Sequence, residues 1–325
     1  MARVAIRPCV SGDGVAINRV FNRVFGLQRP LVEWEWKYRE EPEGRWVMIA
    51  LDEAERVITH CGAVPALMQV GELQVRAGQL VDNYSLPEAR YGHGLGAARL
   101  YVRTVESFFA SFAGRDGLAL LFGFPGERYL RLAVARLGFG VMPPQPVGYW
   151  VRSAHRRKEL LTGHEIRQGF DRDAIDELWR RSAPRYDVAT VRDGAWLHRR
   201  FTGRPGVEYV HLSAWRHGQV HAWAVVRVQP PLTRWAELVW DGEDPAALAA
   251  LDRAVTSGSL AIKLERVDMW LMGDEVAAEA LRRLGWEQRK QPDKLALVAR
   301  SFLPGIDVTA FPGRFYVTMG DSDLV

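Results

Sequence analysis

Gly78-Gln79-Leu80-Val81-Asp82-Asn83-Tyr84-Ser85-Leu86 and the run after it, Pro87-Glu88-Ala89-Arg90-Tyr91-Gly92-His93-Gly94-Leu95-Gly96, decide how this chain is read. The first nine residues have the content of a β-strand. The next run opens on proline, carries three glycines and reads as a loop. From Ala97 to Phe112 a helix follows, with Leu100, Thr104, Phe108 and Phe112 on one stripe. Closely spaced glycines let successive backbone N–H groups converge on an anion, and the helix adds the positive end of its dipole. A pyrophosphate fits that arrangement. A tight turn with no ligand is the other reading of the same residues.

Working outward, the chain repeats itself. Tyr38, Pro42 and the strand Trp46–Ala50 recur as Phe201, Pro205 and Tyr209–Ser213, 163 residues later. The offset holds into the next strand, where Val57–Ala63 matches Val220–Val226. The turns Asp52–Arg56 and Arg216–Gln219 close each hairpin. Each half has a helical pattern upstream, Ala16–Phe25 and Ala174–Trp179. Each ends a later helix on Arg-Leu-Gly-aromatic, at Arg136–Phe139 and Arg283–Trp286, with glycine as the stop. Gly138 and Gly285 are only 147 apart, so the second copy is 16 residues shorter between hairpin and last helix. Duplication accounts for this better than chance. The shortening falls where copy one has its glycine loop, for in copy two Asp244-Pro245 simply starts a helix.

Gly92-x-Gly94-x-x-Ala97 superficially matches the dinucleotide fingerprint, which also wants an acid at the end of the next strand. That strand, Gly117–Phe122, runs into Gly123-Phe124-Pro125 and carries none. The loop resembles instead the CoA loop of the GNAT acetyltransferase superfamily, Gln/Arg-x-x-Gly-x-Gly/Ala, with Gly94 and Gly96 at positions four and six. Tyr91 stands where that family has Gln or Arg. Trp36-Lys37-Tyr38, Arg192-Asp193-Gly194 and the tail Tyr316–Asp323 are similar to its tandem members.

The resemblance implies an α/β (α+β) fold of two tandem domains, each a mixed, mostly antiparallel sheet flanked by helices. Residues 1–150 would form the cofactor-bearing domain, 151–160 a linker, and 161–325 a degenerate copy with a C-terminal tail. Acetyl-CoA or another acyl-CoA is the implied co-substrate, held by Ser85, Leu86, Tyr91, Gly92, His93, Gly94, Leu95, Gly96 and Ala97. CoA would enter between two splayed parallel strands, and a free amide near Ser85 or Leu86 would polarise the thioester carbonyl. The acceptor amine would attack directly in a ternary complex. No Gly-x-Ser-x-Gly elbow is present, and Cys9 and Cys61 have no evident activating partner.

An incoming ammonium must shed a proton. Asp82 is the best side-chain candidate; alternation places it with Tyr84 and Leu86 on one face. A purely structural carboxylate is the competing reading, as a packed strand aromatic is for Tyr84. The family's thiolate acid is often a Tyr four residues before the last helix's glycine. That position is Val134, and Tyr129, about one turn earlier, is the substitute. Asp321, Asp323 and the end of the chain either dock near the acyl group or fray.

The net charge of +4 does not argue for a nucleic-acid partner, and the one short basic run, Arg152–Lys158, reads as a solvated linker or an anion-binding patch. No apolar segment approaches about 20 residues, so no membrane partner is expected. Two cysteines give no disulfide framework, and the chain reads as cytoplasmic. His217 and His221 flank a hairpin, His60 reads as core, and no metal site is expected. The expected partner is a small-molecule or peptide primary amine; monomer and homodimer both stay open. The alternative to an N-acyltransferase is a degenerate relative that senses CoA or a metabolite. A third reading, aminoacyl transfer from tRNA, wants a basic face that this chain lacks.

Overall fold

The computed structural model describes residues 4–39, 45–88, 97–142, 147–154, 163–257, 264–310 and 315–325. The chain forms two units. One comprises Met1–Ala66, Val75–Val141 and Val298–Thr309, and the other Leu67–Gln74, Met142–Leu297 and Ala310–Val325.

Unit 1 follows from one pattern. The run VMIAL of β2 (Val47–Leu51) is buried throughout, as a strand covered on both faces must be. Val47, Ile49 and Leu51 pack under α1 (Asp13–Phe25) and α2 (Leu31–Lys37), through Ile17, Phe21, Trp34 and Tyr38. Met48 faces the other way, into a core built on α3 (Ala97–Phe112) and α4 (Glu127–Leu137). The stripe expected on α3 is there: Leu100, Thr104 and Phe108 are all buried. In the sheet, β1 (Ala5–Pro8) pairs with β2, then come β3 (Val57–Val70), β4 (Leu73–Ser85) and β5 (Leu120–Gly123). The β4–β5 pair is parallel, and the β1–β2 and β2–β3 pairs are antiparallel. The turn residues Asp52–Arg56 close the β2–β3 hairpin as expected.

Unit 2 repeats the order. It runs β8 (Glu165–Gln168), α5 (Arg172–Ser182), a short β9 (Val188–Thr190) and α6 (Gly194–Phe201). The meander β10 (Tyr209–Arg216), β11 (Gln219–Gln229) and β12 (Leu232–Trp240) follows. Last come α7 (Pro245–Thr256), β13 (Arg266–Met272), α8 (Glu275–Leu284) and β14 (Glu287–Arg289). Asp244 caps α7 by accepting from the Ala246 amide, with Pro245 in the first turn, as those two residues predict. The eleven residues between β4 and α3 have only four counterparts between β12 and α7.

Each sheet is completed by a strand from the other half of the sequence. After α4 and β6 (Gly140–Met142) the chain runs on to β7 (Tyr149–Ser153), which pairs with β13 and β14 of unit 2. The matching strand of the second half, β15 (Leu297–Ser301), lies between β5 and β6 of unit 1. The two halves have therefore exchanged their last strands.

Candidate active site

The parallel pair of unit 1 comes apart. Pairing covers Ala77–Gln79 with Leu120–Phe122 and stops there, although β4 runs on to Ser85. The opening lies at the carboxyl ends of two parallel strands, where α/β sheets take their ligands. The loop residues Tyr91, Gly92, His93, Gly94, Leu95 and Gly96 lie outside the described residues; α3 begins immediately after them, at Ala97.

The two amides expected to face the thioester differ. The Leu86 N–H donates to the Ile58 carbonyl at 2.8 Å and is spent. Alternation leaves the neighbouring Ser85 amide on the opposite edge. The Ser85 hydroxyl lies 3.0 Å from that of Thr59.

Asp82 departs from the role of proton acceptor. Its side chain is 3% exposed, with Arg29 Nη1 at 2.5 Å, Lys37 Nζ at 2.8 Å and Tyr38 Oη at 3.1 Å. Burial disfavours its charge, but the Lys37 and Arg29 cations outweigh burial and hold the carboxyl well below the usual range. A carboxylate so held is a weak base. Its backbone is unusual too, at φ 54, a left-handed conformation that costs a non-glycine residue about 1–3 kcal/mol. Alternation also fails here: Leu80 packs in the core under α3, whereas Val81 and Tyr84 pack in the core under α1 and α2. Asp82 and Tyr84 do share a face, but Leu86 packs elsewhere, with Ala50, Ile58 and Leu100.

Tyr84 is a core aromatic and no proton donor. It is fully buried, its hydroxyl donates to the Ile17 carbonyl at 3.0 Å, and burial raises its pKa. Its ring stacks on His60 at 5.2 Å. Burial, against the attraction of Asp82, pushes the His60 pKa down to about 4. His60 Nδ1 is 2.9 Å from the Asp82 carbonyl, which can only accept, so Nδ1 carries the proton. Nε2 is then a bare lone pair, buried and without a partner among the described residues, where a satisfied core histidine was expected. Tyr129 lies in the first turn of α4, just past the end of β5; it is 38% exposed and stands edge-on to Tyr101 at 5.7 Å. The thiols offer no nucleophile, since burial pushes Cys9 up to about 12 and Cys61 higher still. Among the described residues no group of three His, Cys, Asp or Glu could hold a metal.

In unit 2 the equivalent opening is filled. β12 and β13 pair over Leu232–Trp235 and Arg266–Met269 and then part. Into the gap comes β16 (Phe315–Thr318), paired with β13 on one side and with β9 on the other. Tyr316 Oη donates to the Leu238 carbonyl at 2.6 Å, and Thr318 to Glu237 at 2.9 Å. Arg192, fully buried, binds both Glu237 (3.0 Å) and Asp321 (2.5 Å). Arg200 binds the oxygens of Gly320, Ser322 and Val325. Residues 315–322 are thus buried in unit 2, with Asp321 spent on Arg192.

Sequence reasoning passed over Arg29, which has a counterpart in Arg192 at the same 163-residue offset as Tyr38 and Phe201. Counted back from the ends of β4 and β12, Asp82 matches Glu237. A buried guanidinium–carboxylate pair therefore recurs in both copies. One difference stands out: Arg192 Nη2 meets Asp321, while Arg29 Nη2 is buried with no hydrogen-bond partner among the described residues.

No protein-family model matches the sequence, and no curated protein matches it. Solved structures do match in fold. An Enterococcus faecalis protein described as a probable N-acyltransferase superposes with TM-score 0.68 at 12% identity, over 93% of this chain and 73% of its own. A GCN5-related N-acetyltransferase from Anabaena variabilis gives 0.66 at 11%, with the same coverages. Saccharomyces cerevisiae N-myristoyltransferase with bound myristoyl-CoA gives 0.60 at 11%, over 97% and 89%. The chain has the mixed α/β fold of these GCN5-related N-acetyltransferases.

Proposed function

We propose that the chain is an acyl-CoA-dependent N-acyltransferase with one working cleft, in unit 1, and that acetyl-CoA is its donor. The reading is carried by the parting of β4 and β5 beside an eleven-residue glycine-bearing connection and a sixteen-residue helix. Amides near the start of α3 suit the CoA pyrophosphate. The thioester carbonyl lies against the Ser85 amide, a donor typically worth a few kcal/mol of barrier. A small-molecule or peptide amine attacks the carbonyl carbon, the C–S bond breaks, the new amide nitrogen sheds its extra proton to solvent, and the CoA thiolate takes a proton. Tyr129, in the first turn of α4 after β5, is the donor in this scheme. The ammonium proton leaves before attack by a route other than Asp82, whose charge is committed to Arg29 and Lys37. A neighbour of the same fold holds myristoyl-CoA, which supports an acyl-CoA in such a cleft.

Calorimetric titration with acetyl-CoA, run beside Gly94→Trp, tests the reading. Micromolar binding lost in the variant supports it and opens an amine screen by thiol release. A protein that binds neither acetyl-CoA, longer acyl-CoAs nor free CoA is no acyltransferase, and the sensor reading takes its place.

A further inference from the structure

The backbone of β4 changes sides along its length. Arg76 offers its carbonyl to the Ala119 amide, so even-numbered residues at this end of the strand face β5. Strict alternation would keep residues 82, 84 and 86 on that edge. Leu86, however, donates its amide to Ile58 of β3. The strand therefore reverses between them, and the residue with positive φ in that interval is Asp82. The carbonyls at the reversal are caught by side chains. His60 Nδ1 donates to the Asp82 carbonyl at 2.9 Å, and Tyr38 Oη lies 3.4 Å from that of Val81. Without the reversal, the amides of Tyr84 and Leu86 would face the opening and Ser85 would face β3.

Resting on the acyl-CoA reading above, we propose that Asp82 is a positioning residue: clamped by Arg29, Lys37 and Tyr38, it holds the bulge that turns the Ser85 amide into the cleft. The second copy supports the assignment from its own geometry. In β12 the register slips at Ala236, since Val225 faces Glu237 and Val226 faces Trp235. The bulge adjoins Glu237, the counterpart of Asp82, and Glu237 is held by Arg192, the counterpart of Arg29. A carboxylate–guanidinium clamp thus stands at the same bulge in both copies. Asp82 does not touch the reacting atoms; it acts through the Ser85 amide. Aspartate suits the place because its short side chain tolerates the left-handed backbone better than most.

Infrared difference spectroscopy of acetyl-CoA labelled with 13C at the carbonyl reads that amide directly. Bound to the wild-type protein, the carbonyl stretch is expected below its value in free acetyl-CoA. Asp82→Ala is expected to return it to the free value, with affinity for free CoA within about twofold of wild type, since the pyrophosphate site is untouched. Asp82→Asn, which tolerates positive φ and keeps a hydrogen bond to Tyr38, is expected to retain most of the displacement. Should Asp82→Ala fail to fold, Asp82→Gly takes its place, for glycine bears the backbone without strain yet lacks the clamp. A folded Ala or Gly variant with the wild-type displacement overturns the proposal, as does an undisplaced carbonyl in the wild-type complex. Failure of the wild-type protein to bind acetyl-CoA at all overturns the acyl-CoA reading itself.

Discussion

Burial shifts the proton affinities of two groups, His60 and Glu237, toward their neutral forms, with opposite consequences for pH. Burial, opposed by Arg192 and helped by Asp321, raises the Glu237 pKa to about 7 from an ordinary 4.5. Its folded-state proton is held more tightly than in the unfolded chain. That contribution to stability is complete below pH 4.5 and is lost as pH rises through 7. His60 runs the other way. Its pKa of about 4 lies below the ordinary 6.5, so its burial costs stability progressively as pH falls through that window. Glu237→Gln should therefore remove a loss of stability between pH 5 and 7.5 on the order of 2 kcal/mol, each tenfold change in proton affinity being worth about 1.4 kcal/mol. Urea midpoints at several pH values measure it. A wild-type midpoint that does not fall more steeply than the variant's over that range would contradict it. The residue scale is also where the sequence was least legible. Arg29, Lys37, Tyr38, His60 and Asp82 come from four separate stretches, and nothing in their local patterns announces that they meet. A second alignment signal was present, since Arg29 and Arg192 share the offset of the repeat.

At the scale of elements, patterning served well where one face of a helix or both faces of a strand meet a core. The stripe on α3 predicted Leu100 and Phe108 correctly, and Phe108 is fully buried between Val105, Leu121 and their neighbours. Phe108→Ala should cost about 3–5 kcal/mol, read from chemical denaturation, through the lost burial and the cavity left behind. Asp244-Pro245 gave the start of α7 correctly for the same local reason. Periodicity could not show the bulge at Asp82, since one inserted residue leaves the composition of a strand unchanged. Nor could it show that β16 fills a gap. In the sequence the tail could dock near the acyl group or fray; in the structure Tyr316 is 1% exposed and stacks on Tyr186 at 4.1 Å. Tyr316→Ala should destabilise unit 2 by about 3 kcal/mol. Unchanged thermal stability would show that the tail is dispensable there.

For the whole molecule, the repeat was visible in the sequence but its strand exchange was not, because β7 and β15 carry the same strand pattern whichever sheet they join. With one cleft open and its counterpart filled by β16, acyl-CoA is expected to bind at one site per chain. Calorimetric stoichiometry near one checks this; a value near two would show that the tail yields to ligand. The exchange also bears on how the protein comes into being. On the ribosome, the sheet holding the cleft emerges early but has a vacant place between β5 and β6 until β15, Leu297–Ser301, has been made. Until then its apolar edge must wait, exposed, through the synthesis of nearly the entire second half. A chain stopped before residue 297 should remain dependent on a chaperone or aggregate, however complete its first half looks.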